Sequence, residues 1–198
     1  MESKAEKRFV ELVRKSPKTK EEMVELEEVR QQFQLELQNM QEPLIRDLHD
    51  LGIKISSVWD LVNTKLSYPE AIAALGKHLV LDYHIRIKEG IVRALAVKEA
   101  KGKFTAELIN LYSQLANNKT NESLRWVIGN TLFYTIEKKD AALLFPIVLN
   151  KENGSSRDMF IAALGKFKTD EVKTVLKQLV TDGEFGPLVQ KLLAKFKS

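Results

Sequence analysis

The chain has 198 residues, a formal net charge of +4 and no cysteine. That length serves one domain or a short array with a continuous core, and the missing cysteine excludes a disulfide, a thiolate metal site and a cysteine nucleophile. No apolar run approaches a membrane span, and the N-terminus MESKAEKRFVELVRKS has neither the apolar core nor the cleavage site of a signal peptide, so a reducing, cytoplasmic setting is expected.

The first expected element is an amphipathic helix over 4–15, with Ala5, Phe9, Leu12 and Val13 on one side. Ser16-Pro17 ends it, because proline restricts the residue before it and cannot continue the ladder. A longer helix is expected over 20–41. Its apolar residues Leu26, Phe33 and Met40 stand seven apart, Leu37 and Leu44 make a partner series, and Arg30 interrupts it. This is a short heptad pattern, suited to a hairpin or a dimer seam. The five glutamates among residues 21–28 complement a helix N-terminus without any function being needed. Pro43 is expected to open a third helix through Leu44, Leu48 and Leu51, with Gly52 as its left-handed exit. Ser57 and Asp60 form a capping box for a short helix containing Trp59, Leu61 and Val62. Pro69 then sits where a helix's first turn tolerates it.

From here the sequence repeats. Lys88–Val97 (KEGIVRALAV) returns as Arg125–Tyr134 (RWVIGNTLFY), as Arg157–Lys166 (RDMFIAALGK) and, more loosely, as Gly186–Lys195 (GPLVQKLLAK). The copies start 37, 32 and 29 residues apart. Their columns Ile91, Ile128, Phe160, Val189 and Leu95, Leu132, Leu164, Leu193 line one helical face, with small residues at Ala94, Thr131 and Ala163. An apolar helix precedes each copy, over 70–79, 106–115, 141–149 and 171–179. The unit is therefore helix, turn, helix, too small to bury its own apolar face unless units stack. The terminal KLLAKFKS presents lysines on the polar outer face that an end unit needs.

The basic residue opening each of the first three second helices, followed by small and apolar residues, resembles the HEAT repeat, and RDMFIAALGKF carries the resemblance most clearly. It covers about Tyr68–Ser198. The middle of the chain, DLHDLGIKISSVWDLVNTKLSYPEAIAAL with IKEGIVRALAVKEAKG, is similar to a group of bacterial HEAT-like proteins, which supports the same fold and carries no activity with it. The resemblance implies an all-α protein: an α-α superhelix, a right-handed stack of about four HEAT-like helix pairs with an N-terminal helical arm, whose second helices line a concave surface. The expected division is 1–41 for the arm, 42–67 for connecting helices and 68–198 for the array. HEAT units often pair an Asp in the turn with the basic residue six places on; Asp82 and Lys88 fit, whereas Lys119 and Lys151 stand six places before Arg125 and Arg157.

At about 100° per residue, positions 89, 93 and 96 point away from the column of Ile91 and Leu95. Across the repeats this outward row reads Glu89, Trp126, Asp158, then Arg93, Asn130, Ala162, flanked by Lys88, Arg125 and Arg157. A tryptophan among arginines is a common composition of binding hot spots. The competing reading is that Arg125 and Arg157 cap turns or bridge units and that Trp126 fills a tightly curved groove. The expected function is a non-enzymatic scaffold, an adaptor or antidote, gripping a protein or peptide on its concave face through Glu89, Arg93, Arg125, Trp126, Asn130, Arg157 and Asp158. The alternative is a DNA-binding protein, since some alkylpurine DNA glycosylases are built from HEAT-like repeats and use aromatic, acidic and basic residues of the kind at Trp126, Asp158, Arg125 and Arg157. Their fuller aromatic set is not present, as Glu89 and Asn130 occupy neighbouring sites. Residues 1–41 carry −1 and residues 42–198 carry +5, a milder balance than the dense basic stripe of a committed nucleic-acid binder. His49, His78 and His84 are too few and too widely spaced for a zinc site and are expected to be packed or on the surface. No metal or cofactor is expected, and no phosphate loop or nucleophile elbow occurs. The arm is expected either to cap the array or to pair with a second chain.

Overall fold

The computed structural model describes residues 3–196; Met1, Glu2, Lys197 and Ser198, and with them the last lysine of the C-terminal segment, lie outside the described residues. The structure is all-α, with no strand among the described residues. Helix α1 (Lys4–Arg14) starts at Ser3, whose hydroxyl accepts from the Glu6 amide at 3.0 Å. Helix α2 (Lys20–Asp50) starts with a full capping box between Thr19 and Glu22. Both caps satisfy amides that the first helical turn leaves without intrahelical partners.

Helix α2 runs 31 residues without a break, so Pro43 lies inside it rather than opening a new helix. The expected boundary between residues 41 and 42 therefore falls within continuous backbone. Proline removes one helical hydrogen bond, to the carbonyl four residues earlier. That carbonyl belongs to Asn39, and both Asn39 and Pro43 are exposed, where water can serve the orphan acceptor. Phe33, Gln41, Leu44 and Leu48 meanwhile bury the opposite face on both sides of the proline. The helix ends as expected at Gly52, whose φ is +80°. The Gly52 amide donates to the His49 carbonyl at 2.8 Å and the Ile53 amide to the Leu48 carbonyl at 3.0 Å, the paired bonds of a Schellman ending.

Helix α3 (Val58–Asn63) opens with the expected box, Ser57 and Asp60 bonding each other's amides. The Gln41 side chain accepts from the Val58 amide at 3.0 Å and ties α3 to α2. The hairpins follow. Helices α4 (Ala71–Leu79) and α5 (Ile85–Ala94) make the first, α6 (Thr105–Gln114) and α7 (Glu122–Thr135) the second. In the third, a 3-10 segment Lys138–Leu144 leads into α8 (Phe145–Leu149), and another, Lys151–Arg157, leads into α9 (Asp158–Leu164). Helices α10 (Asp170–Gln178) and α11 (Gly186–Ala194) make the fourth.

The second helices lie side by side in the order α3, α5, α7, α9, α11. The repeating columns form most of their shared core: Ile91, Ile128, Phe160, Val189, Leu95, Leu132 and Leu164 are fully buried, and Leu193 in the last copy is half-buried. Two glycines set the spacing. A Cβ on Gly90 would meet Val58 Cγ1 at 2.5 Å, and one on Gly129 would meet Met159 Cβ at 2.9 Å. Thr131, buried in the small-residue column, donates to the Val92 carbonyl at 2.9 Å and stitches α7 to α5.

The arm folds onto the array. Helix α1 packs along α2, Phe9 meets the buried Phe33 ring, and Phe33 in turn meets the edge of His84. Both oxygens of the buried Glu6 carboxylate lie 3.1 Å from His84 Nε2. The heptad positions Leu26, Phe33, Leu37 and Leu44 are buried or half-buried, and Met40 is exposed. That seam is used within the chain.

Candidate functional site

The basic column does not stand on the surface. Lys88, Arg125 and Arg157 are 8%, 3% and 3% exposed. Each reaches back to the end of its own hairpin's first helix: Lys88 Nζ donates to the Leu79 and Leu81 carbonyls, Arg125 Nη1 to Leu115 at 2.6 Å, and Arg157 Nη1 to Val148 at 3.3 Å. These carbonyls end helices and lack intrahelical donors, so a cation there answers both the orphan acceptor and the negative end of the macrodipole. The two arginines also reach forward into the next hairpin. Arg125 Nη2 donates forward to Asn153 Oδ1 at 2.8 Å, and within its own hairpin to the Tyr112 hydroxyl at 2.7 Å, with the guanidinium 4.1 Å from the Tyr112 ring centroid. Arg157 pairs with Asp182 at 3.1 Å and lies 4.7 Å from the Phe185 ring. Arg125 and Arg157 are therefore corrected from face residues to bridges between units. Asn153 and Asp182, each four residues before a repeat start, take the place of the Asp six places before.

Charge in this layer follows from burial. Burial pushes the Lys88 ammonium below its ordinary value, against the pull of Asp82. Burial pushes Asp182 up, but the Phe185 and Glu184 amides and the Arg157 guanidinium outweigh it and hold the carboxyl below its ordinary range. Burial also raises the Tyr112 hydroxyl, opposed by Ser156 and by the nearby arginines.

Within the outward row the structure joins two pairs, Glu89 with Arg93 and Trp126 with Asp158. Glu89 on α5 accepts from Arg93 at 2.8 Å and from the Ser123 hydroxyl at 3.0 Å. On α7, Trp126 is 39% exposed, and its indole Nε1 donates to Asp158 Oδ2 on α9 at 3.3 Å. The other Asp158 oxygen accepts from the Met159 amide. Close packing at Gly129, one turn along α7 from Trp126, brings α9 near enough for that bond. Asn130 is half-buried along the same helix, and Arg93 lies half-buried with its guanidinium 6.0 Å from the Trp59 ring centroid.

Two hollows lie along this row. One, of about 430 Å³, is lined by Lys119, Glu122, Ser123, Trp126, Ser155, Ser156 and Asp158. The other, of about 420 Å³, is lined by Glu6, Val10, Arg14, Trp59, Ile85, Arg86, Glu89, Thr120 and Ser123. They share Ser123. Helix α1 thus contributes a wall, through Glu6, Val10 and Arg14, that the repeat pattern gave no reason to expect. Ser123 and Glu122 also escaped the row, because they lie in the first turn of α7, before the aligned block begins at Arg125. A wheel drawn from the start of α7 would have included them.

The histidines are structural. His78 is 2% exposed between the Tyr83 hydroxyl at 2.7 Å and Asp47 at 3.0 Å. His84 holds Glu6 while its Nδ1 accepts from the Arg86 amide as the cap of α5. His49 Nε2 meets the Ile55 carbonyl at 2.7 Å. Among the described residues no three His, Cys, Asp or Glu side chains gather as metal ligands. No helix among them is long and apolar enough to cross a membrane.

Comparison of the chain with protein-family models, with curated proteins and with solved structures gave no match.

Proposed function

We propose that this chain is a non-enzymatic, HEAT-like scaffold that binds a polypeptide segment across the second helices α5, α7 and α9. The observation that carries the reading is Trp126: a large indole left over a third exposed on α7, away from the fully buried column of Ile128 and Leu132, bonded to Asp158 and lining the hollow of about 430 Å³. Core packing explains the buried columns and not this ring. Neighbouring helices lie about 8–10 Å apart, so three of them span roughly 20 Å, the length of about six extended residues. A segment of that kind makes its affinity from a few buried anchors, aromatic and charged. An adaptor or antidote role, masking a partner in the cytoplasm, is the form this proposal takes in a cell.

Burial of Arg125 and Arg157 also weighs against the nucleic-acid alternative, because phosphate contacts need exposed cations. The test is affinity capture from cell extract, with the captured protein identified and its binding remeasured in purified form. Trp126→Ala should abolish that binding while far-UV circular dichroism stays unchanged. Undiminished binding by this variant, or a gel shift with duplex DNA that falls steeply with salt, would overturn the reading.

A further inference from the structure

Resting on that reading, we infer that the hollow beside Trp126 receives a cationic side chain, an arginine or lysine of the bound segment. Three observations carry this. The hollow has an aromatic wall, the exposed Trp126 indole, whose face attracts a cation through the ring quadrupole. It has two carboxylates, Glu122 and Asp158, and neither has a cationic side chain within 4 Å among the described residues. The contrast is Glu89 on the same face, whose carboxylate is already held by Arg93. Lys119 is the one basic residue of the lining, so the pair of acids leaves the hollow short of positive charge by one. A guanidinium answers all of this together: it is planar, lies flat on an indole and donates in a fork to carboxylates. The bond from Trp126 to Asp158 fixes both walls before a ligand arrives, and a preorganised site spares the ligand the cost of ordering them.

The probe is N-acetyl-arginine amide, with N-acetyl-citrulline amide as its uncharged isostere. The readout is the NMR signal of the Trp126 indole N–H, assigned by its loss in Trp126→Phe. Arginine amide should shift this signal saturably and citrulline amide should not. The Glu122→Gln and Asp158→Asn variants should each bind roughly tenfold more weakly, the scale of one charge-assisted hydrogen bond. Lys119→Gln should bind more tightly, since it removes the competing cation. Both ligands shifting the signal equally, or both acid variants binding as well as the parent, would overturn the inference. So would a saturable shift with single-stranded DNA and none with arginine amide, which would turn the site toward nucleic acid. Failure here with Trp126-dependent capture of a partner intact removes only the cation site. Failure of that capture as well removes the binding face.

Discussion

At the scale of single residues, the basic column shows what a repeat pattern discloses and where it misleads. Lys88, Arg125 and Arg157 recur at one position, and recurrence at polar positions suggests a surface. The helical wheel says otherwise. At about 100° per residue, position 88 lies only about 20° from position 95, whose leucine is fully buried. The sequence held that geometry; the partners were hidden in it, because Asn153 and Asp182 belong to the next hairpin and no local rule ties them to an arginine 28 or 25 residues away. The Arg157–Asp182 pair, 4% and 7% exposed, is the most enclosed ion pair among the described residues. Removing one partner of such a pair leaves an uncompensated buried charge and costs about 3–5 kcal/mol. Asp182→Ala should lower stability in urea by that order, whereas the double variant Arg157→Met, Asp182→Leu should lose clearly less than the two single losses summed. Additive losses would show that the pair does not couple the third and fourth hairpins. Asp47 gives a second residue-level test. Its bonds to Lys77 and then to His78 hold its carboxyl at about 2, below its unfolded value of about 3.9. A depressed carboxyl contributes stability that is present above its unfolded value and lost as pH falls through its folded one. The urea midpoint should therefore decline between about pH 4 and pH 2, and Asp47→Asn should flatten that decline. An unchanged slope in the variant would mean that other carboxylates carry it.

At the scale of elements, caps and exits were legible because their chemistry is local: Ser57 with Asp60 and Gly52 act through neighbours a few residues away. Pro43 was misleading for the opposite reason. Local rules make proline a helix start, but α2 is held by Phe33 before it, buried against Phe9 and His84, and by Leu44 and Leu48 after it, buried in the main core. Tertiary packing overrides a local penalty when the lost hydrogen bond faces water. Contacts between elements also set the candidate site, and Gly129 is the clearest case. A methyl group there would lie 2.9 Å from Met159 Cβ and 3.0 Å from Phe160 Cε2. The Phe160 ring is fully buried and has little room to yield, so Gly129→Ala should destabilise by about 1–3 kcal/mol. It should also push α9 from α7, lengthening the bond from Trp126 to Asp158 and moving the Trp126 indole N–H signal in the absence of ligand. A destabilised variant with that signal unmoved would separate helix spacing from site geometry.

At the scale of the whole molecule, the arm decides what the chain presents. The sequence left open whether the arm, residues 1–41, caps the array or pairs with a second chain, because a heptad stripe serves either use equally. The structure spends the stripe internally. Phe9 covers Phe33, Phe33 meets His84, and the Glu6 carboxylate, itself buried, reaches His84 Nε2 from α1. The same helix walls the second hollow with Val10 and Arg14, so the proposed binding face and the arm are contiguous. Two consequences can be measured together by sedimentation. The full chain should sediment as a monomer, since its seam is occupied. A chain starting at Lys20 should keep its helical content but associate with rising concentration, because Leu26 and Phe33 lose their cover and an uncovered apolar stripe of this period favours helix pairing. Glu6→Gln tests the charge of the latch while leaving His84 against Phe33 and at the cap of α5: amide exchange should rise across α1 while α7, α9 and α11 keep their protection. If the truncated chain stays monomeric at every concentration, the stripe is not an association surface; if exchange in α1 is unchanged in Glu6→Gln, the aromatic contacts of Phe9, Phe33 and His84 hold the arm in place without the charge.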